Sequence, residues 1–191
     1  MSEAAAQRVT YARYVAMAEA SETKLEYEAG VVRAMAGGTI EHGRLMVSVS
    51  TALSNALRGK PWVVLSSDVR VRARAADRAT YPDVTVVCGR IEHDADDELA
   101  VTNPKVIVEV SSATTELSDR TDKFADYRRL PSLAEYVLVS QRSARIEVYR
   151  RDGKRWTLDE YGKGEQAKLE SLGVEIDVDT VYFDPLAIPP A

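Results

Sequence analysis

Two carboxylates stand where a carboxylate is costly. Asp83 lies in Tyr81-Pro82-Asp83-Val84, and Glu109 lies 26 positions later in Val108-Glu109-Val110-Ser111. Both runs are apolar and β-branched and read as strands. Taking an ionised carboxylate out of water costs several kcal/mol unless a partner compensates it. Two of them on neighbouring strands repel each other unless a cation or a shared proton lies between them. A divalent ion resolves the conflict, because Mg²⁺ is typically held by one or two carboxylates, water and substrate phosphates. The pair therefore points to phosphodiester chemistry assisted by Mg²⁺ (or Mn²⁺).

A lysine completes the set. A helix predicted from about Glu116 to Leu130, closed by Pro131, follows the Glu109 strand directly and carries Asp119, Lys123 and Tyr127 on one face. On a solvated helix such an Asp–Lys pair is worth only about 0.2–0.5 kcal/mol. If that face turns inward, Lys123 aims at the two carboxylates. There it could position or activate an attacking water and stabilise charge developing on a phosphate. Glu26 and Glu28 share one face of a predicted hairpin. They form an exposed acidic face, or one of them adds a carboxylate to the metal. His42, on the first turn of a longer helix, is either structural or a substrate contact. His93 reads as solvated, and Asp68 has no assigned role.

The elements that must position these groups follow from periodicity. Residues 8 to 19 predict a helix capped by Thr10, with Tyr11, Tyr14, Val15 and Ala18 on one face. Leu25 to Ala36 predict a β-hairpin turning at Ala29-Gly30. Thr39 caps a helix from about Ile40 to Leu57, with Leu45, Val49, Ala52, Leu53 and Ala56 at helical spacing. Trp62 to Ala73 predicts one strand whose end alternates, Val69, Val71 and Ala73 against Arg70, Arg72 and Arg74. A turn is expected over Ala76 to Thr80, a strand over Tyr81 to Cys88, a polar loop from Gly89 to Pro104 and a strand over Lys105 to Val110. The last two strands lack alternation, so both faces are expected to be covered. Glu135 to Ser140 predicts another buried strand. Meander or edge strands follow at Arg145 to Tyr149, Arg155 to Tyr161, Ala167 to Leu169 and Val174 to Ile176. The order predicts an α/β (α+β) fold with a mixed central sheet flanked by helices, an N-terminal hairpin and C-terminal antiparallel strands.

The whole chain narrows the classes. Its 191 residues, 45% of them hydrophobic and with no linker or repeat, suit a single domain over 1–191. No apolar run reaches the roughly 18 residues that span a bilayer, and Met1 to Val9 lacks the apolar stretch of a secretory leader. The single Cys88 excludes an internal disulfide and a cysteine zinc site, and its place at the end of a strand suggests a buried, inert thiol. A cytoplasmic protein with no membrane partner is expected. The net charge of −5 gives no global sign of nucleic-acid binding. Arginines nevertheless cluster locally, at Arg70, Arg72, Arg74 and Arg78 and again at Arg142, Arg145, Arg150, Arg151 and Arg155, and a local field suffices for phosphate contacts. Phosphate loops of the GxxxxGK[ST] or GxGxxG type, HExxH and GxSxG are all absent, and Gly37-Gly38 is too short for a cradle.

The ordered set resembles the Uma-two family of restriction-endonuclease-like proteins. It runs from Lys24-Leu25-Glu26-Tyr27-Glu28-Ala29-Gly30-Val31 and His42, through Ser67-Asp68-Val69-Arg70-Val71 and Tyr81-Pro82-Asp83-Val84. It continues with Pro104-Lys105-Val106-Ile107-Val108-Glu109-Val110-Ser111-Ser112, then Asp119, Lys123 and Tyr127, and ends with Glu135-Tyr136-Val137-Leu138-Val139. The resemblance spans roughly residues 10 to 180. It implies the PD-(D/E)xK nuclease superfamily, with Asp83 and Glu109 as the motif acids and the Val110 carbonyl as a further metal ligand. Ser111 stands where that pattern has a lysine, and the resemblance suggests Lys123 as the migrated replacement. Ala113 stands where a proline is usual.

The expectation is a Mg²⁺- or Mn²⁺-dependent DNA endonuclease, acting as a homodimer. Its metal is held by Asp83, Glu109, Val110 and Glu26, Lys123 assists the water, and His42, Arg70, Arg72 and Tyr127 face the substrate. One competing reading is a degenerate module that binds nucleic acid along the Arg70/Arg72/Arg74 ridge. Another is an oligomeric accessory protein joined through its C-terminal strands and Trp156.

Overall fold

The computed structural model describes residues 8–112 and 115–187. Helix α1 (Tyr11–Glu19) starts at Thr10, whose hydroxyl accepts from the Arg13 amide. Strands β1 (Leu25–Glu28) and β2 (Val31–Ala34) form the expected hairpin. Ala29 and Gly30 both take positive φ, 46° and 89°, as a tight two-residue hairpin turn demands. Helix α2 (Ile40–Ala56) is capped by Thr39 and buries Leu45, Val49 and Leu53.

Beyond α2 the chain departs from the expected single strand. It forms β3 (Trp62–Ser66), turns, and enters a different sheet as β4 (Arg70–Ala73). A 3₁₀ turn (Arg74–Ala76) and β5 (Arg78–Thr80) replace the expected turn over 76–80. Strand β6 (Val84–Cys88) begins one residue after Asp83, so Asp83 leads into a strand rather than lying within it. The expected loop from Gly89 to Pro104 contains β7 (His93–Asp94) and β8 (Asp97–Val101), which extend the N-terminal sheet. Strand β9 (Val106–Ser111) carries Glu109. The following helix has three parts: α3 (Glu116–Ser118), a π-helical turn (Asp119–Lys123) and α4 (Phe124–Tyr127). Strands β10 (Glu135–Ser140), β11 (Arg145–Asp152) and β12 (Arg155–Gly162) complete the central sheet. A ribbon of β13 (Gln166–Leu169) and β14 (Val174–Asp177), then helix α5 (Val178–Tyr182), close the described chain.

Two mixed sheets thus stand where one was expected. The N-terminal sheet runs β2-β1-β5-β4-β8-β7, and the central sheet runs β12-β11-β10-β9-β6-β3. In the central sheet β9 and β10 are parallel and the other pairs antiparallel. Both of its faces are covered, as the missing alternation foretold. One face packs Val84, Val86, Val106, Val108, Val137 and Val139 against Leu45, Val49 and Leu53 of α2 and against the ribbon. The other packs Ile107, Tyr136 and Leu138 against Tyr127, Leu130 and Leu133. Ile107, Glu109 and Ser111 alternate with Val106, Val108 and Val110, so Glu109 faces the interrupted helix rather than α2.

Two further expectations are corrected. Arg70 and Arg72 are buried, not a solvated ridge: Arg70 pairs with Asp97 at 3.3 Å and Arg72 with Asp77 at 2.9 Å. Their guanidinium planes lie against tyrosines, Arg72 against Tyr11 at 3.8 Å. Arg74 binds Asp94 and Asp96. Alternation in β4 separates two covered faces because β8 brings its acids alongside. Cys88 is exposed, since it ends β6 opposite Trp62 at the margin of the sheet. Trp156 packs edge-on to Phe124 and under Arg151 within its own chain.

Candidate active site

The two acids meet as the sequence requires. Strands β6 and β9 are adjacent and antiparallel, with Val84 opposite Val108, so Asp83 arrives opposite Glu109. The Val110 amide donates to Asp83 Oδ2 at 2.7 Å, and His42 Nε2 lies 3.1 Å from Oδ1. Thr39, capping α2, accepts from the His42 amide and donates to Gln141 Oε1 at 2.9 Å. Gln141 Nε2 in turn donates to the Val110 carbonyl at 3.3 Å. His42 Nδ1 also lies 3.3 Å from that carbonyl. The hydrogen bond that His42 donates to Asp83 raises the His42 pKa against the opposing effect of burial.

Glu109 is 4% exposed. Tyr127 donates its hydroxyl to Glu109 Oε1 at 2.9 Å, and Lys123 Nζ donates to Oε2 at 3.3 Å. Lys123 Nζ also lies 3.1 Å from Asp119 Oδ1. Asp119 is 1% exposed and accepts from the Ser111 hydroxyl at 2.9 Å. The Asp–Lys pair is therefore an interior contact, not the surface pair that helical spacing alone suggests. Asp119, Lys123 and Tyr127 are spaced four residues apart and so share the strand side of the helix, and the π turn lies within that stretch, as such turns often do at functional sites. The Tyr136 hydroxyl donates to the Asp119 carbonyl at 3.0 Å and pins the turn.

These groups open into one cleft of about 420 Å³ lined by Glu26, His42, Asp83, Glu109, Asp119, Lys123 and Gln141, with the 34–39 loop along its rim. Burial pushes the Glu109 carboxyl up to about 8; Lys123 opposes this, and Asp83 and Asp119 add to it. Lys123 is pushed up in spite of burial by Glu109 and Asp119. Burial likewise raises the Tyr127 hydroxyl well above its ordinary value, so it stays a donor. Four acids, Glu26, Asp83, Glu109 and Asp119, line the cleft beside Arg33, Lys123 and His42.

The donor set suits a hard divalent ion. Among the described residues no three His, Cys, Asp or Glu side chains form a ready-made cage. Two carboxylates and a main-chain carbonyl converge instead, and Mg²⁺ ordinarily retains several waters beside so few protein ligands. Glu26 faces the same cleft and receives the Thr80 hydroxyl. Glu28 instead pairs with Arg33 and Arg78, which separates the two hairpin acids. Tyr127 is fully buried and touches Glu109 rather than open space, and Arg70 and Arg72 belong to the closed network of the other sheet. Ala113 lies outside the described residues. The sequence reading gave no site role to Gln141, Thr39 or Thr80; Thr39 was legible only as the cap of α2. It named Asp119 without giving it a role, although its place one turn before Lys123 was the available clue.

Fold and cleft together define a restriction-endonuclease-like α+β protein with an acid–lysine site. A family model described as "Uma2: Putative restriction endonuclease" matches residues 11–179, and the chain belongs to this family. Two Synechocystis sp. proteins are similar along most of their length. The "Uncharacterized protein slr1290" is 34% identical over 170 residues, 88% of each chain. The "Uncharacterized protein sll1609" is 33% identical over 163 residues, 85% of this chain and 92% of that one. The crystal structure of "a putative nuclease belonging to DUF820" from Anabaena variabilis superposes with a TM-score of 0.67. It covers 85% of this chain and 91% of its own at 14% identity, a likeness of fold. No helix among the described residues is long and apolar enough to cross a membrane.

Proposed function

We propose that the protein is a metal-dependent endonuclease that hydrolyses phosphodiester bonds in DNA. One observation carries the reading: carboxylates on or just before adjacent antiparallel strands, Asp83 and Glu109, share a cleft with a half-buried lysine that donates to one of them at 3.3 Å. Asp83, Glu109 and the Val110 carbonyl would hold Mg²⁺ or Mn²⁺, with Glu26 beside them. A bound divalent ion supplies Lewis acidity and a water that ionises more readily. Lys123, held against Glu109, orients that water and offsets charge gathering on the phosphate. Tyr127 keeps Glu109 in one rotamer by occupying Oε1. His42 and Gln141 hold the Val110 carbonyl and the Asp83 carboxylate in register. The family description and the printed title of the Anabaena neighbour support nuclease chemistry, and the excess of acid in the cleft supports the metal.

The test is cleavage of supercoiled plasmid, single-stranded DNA and RNA with Mg²⁺ or Mn²⁺, by the wild type and by Asp83→Ala and Lys123→Ala. DNA cleavage that needs the ion and fails in both variants is the expected result. Equal cleavage by Asp83→Ala would refute the assignment. Salt-sensitive binding without cleavage in the wild type would favour the degenerate module.

A further inference from the structure

Lys123 touches two carboxylates, and only one of them belongs to the metal set. Its ammonium lies 3.3 Å from Glu109 Oε2 and 3.1 Å from Asp119 Oδ1. The Asp119 contact is an ion pair without hydrogen-bond geometry, so Oδ1 is a buried carboxylate oxygen whose one close cation is the lysine. The other oxygen is fixed by Ser111, which occupies the position where a lysine is expected. Glu109, Asp119 and Ser111 thus form a pocket for a cation, and the side chain of Lys123 fills it from within the chain.

We propose that Asp119 is a positioning residue that, with Ser111, holds Lys123 as the built-in cation of a second acidic subsite, leaving this chain with a single divalent-ion site. The inference rests on the proposed metal site for its consequence but on different atoms for its evidence. Paired carboxylates a few ångströms apart attract a second divalent ion in two-metal sites. Here an ammonium already bridges them, and a divalent ion entering that place would meet a fixed positive charge a few ångströms away, a costly approach in a buried setting. Four-residue spacing brings Asp119 and Lys123 to the same side of the helix, next to β9, within the π turn.

Calorimetric titration with Mn²⁺ tests this on the wild type, Asp119→Asn, Lys123→Met and the double variant, with folding checked by circular dichroism. The expected counts are one ion for the wild type, one for Asp119→Asn with affinity within about twofold, two for Lys123→Met, and one for the double variant, in which the vacated subsite lacks its second acid. Two ions in the wild type, or an unchanged count in a folded Lys123→Met, would overturn the proposal. Should Lys123→Met fail to fold, Asp119→Asn decides: retained affinity with kcat lowered at unchanged KM supports a positioning role, and loss of the ion makes Asp119 a ligand and overturns it. No ion in the wild type would refute the metal site of the proposed function and the single-site inference with it, even if Lys123→Met bound one. No ion in any of the four would overturn both.

Discussion

Two of the places where the molecule buries charge are built oppositely. In and beside the N-terminal sheet Arg70 pairs with Asp97, Arg72 with Asp77 and Arg74 with Asp94, and tyrosine rings cover Arg70 and Arg72. In the cleft, Asp83, Glu109, Asp119 and Glu26 gather around Lys123 and His42, and the set opens outward. Arg70 and Arg72 each have an acid and a covering ring, an arrangement that serves the fold, although two guanidinium nitrogens of each stay buried without a hydrogen-bond partner. Acids crowded around an open cavity are the arrangement that the proposed metal site would need. Openness and a surplus of acids, rather than burial, distinguish the cleft.

The sharpest way to break this contrast is to unbalance the matched region. Asp97→Ala strips Arg70 of its partner at a closed site, and we expect a loss of about 3–5 kcal/mol in unfolding free energy, read by urea denaturation. Mn²⁺ affinity should stay unchanged in the surviving folded fraction. Stability within about 0.5 kcal/mol of wild type would show that the arginine cluster is not a structural network.

The converse change in the cleft should harm activity and spare the fold. Asp83→Asn is expected to lower DNA cleavage by at least about 100-fold, since loss of a group merely supporting a metal ligand already costs about 10–100-fold. Its metal-free melting temperature should not fall. Tyr127→Phe removes one donor from Glu109, and hydrogen bonds to charged groups are worth about 1.5–3 kcal/mol. We expect roughly tenfold weaker Mn²⁺ binding at pH 7 by calorimetry, because Glu109 then holds its proton more firmly.

The smallest effect is in pH dependence. The Glu109 carboxyl is raised to about 8 in the folded metal-free chain, against an ordinary value of 4.5. Between those values the folded state binds more protons than the unfolded one, so stability falls as pH rises. From pH 7 to 9 this one group should remove about 1 kcal/mol. Glu109→Gln does not titrate, so its stability should decline less over the same range. Parallel wild-type and variant curves would show that Glu109 ionises normally.

Legibility from sequence followed the same division. Asp83 and Glu109 stood out because a charged residue in or beside an apolar strand must have a partner, and their covered strands showed in the lack of alternation. Lys123 and Tyr127 followed from helical spacing once the strand was placed. The arginines of β4 were misread because alternation shows that two faces differ, not that one is wet. Their partners at Asp94 and Asp97 lie about 25 residues on, in a stretch whose polar composition resembles a loop. The sheet switch after Ser66 and the π turn left no pattern at all, since both arise from packing between elements distant along the chain.

Cys88 offers a practical use of the strand that carries the site. It is the chain's one thiol and is exposed, and it lies five residues from Asp83 along β6. At about 3.3 Å per residue that is roughly 17 Å. A nitroxide attached there becomes a molecular ruler: its relaxation by Mn²⁺ would report where the ion sits, with no substitution in the cleft and no substrate needed.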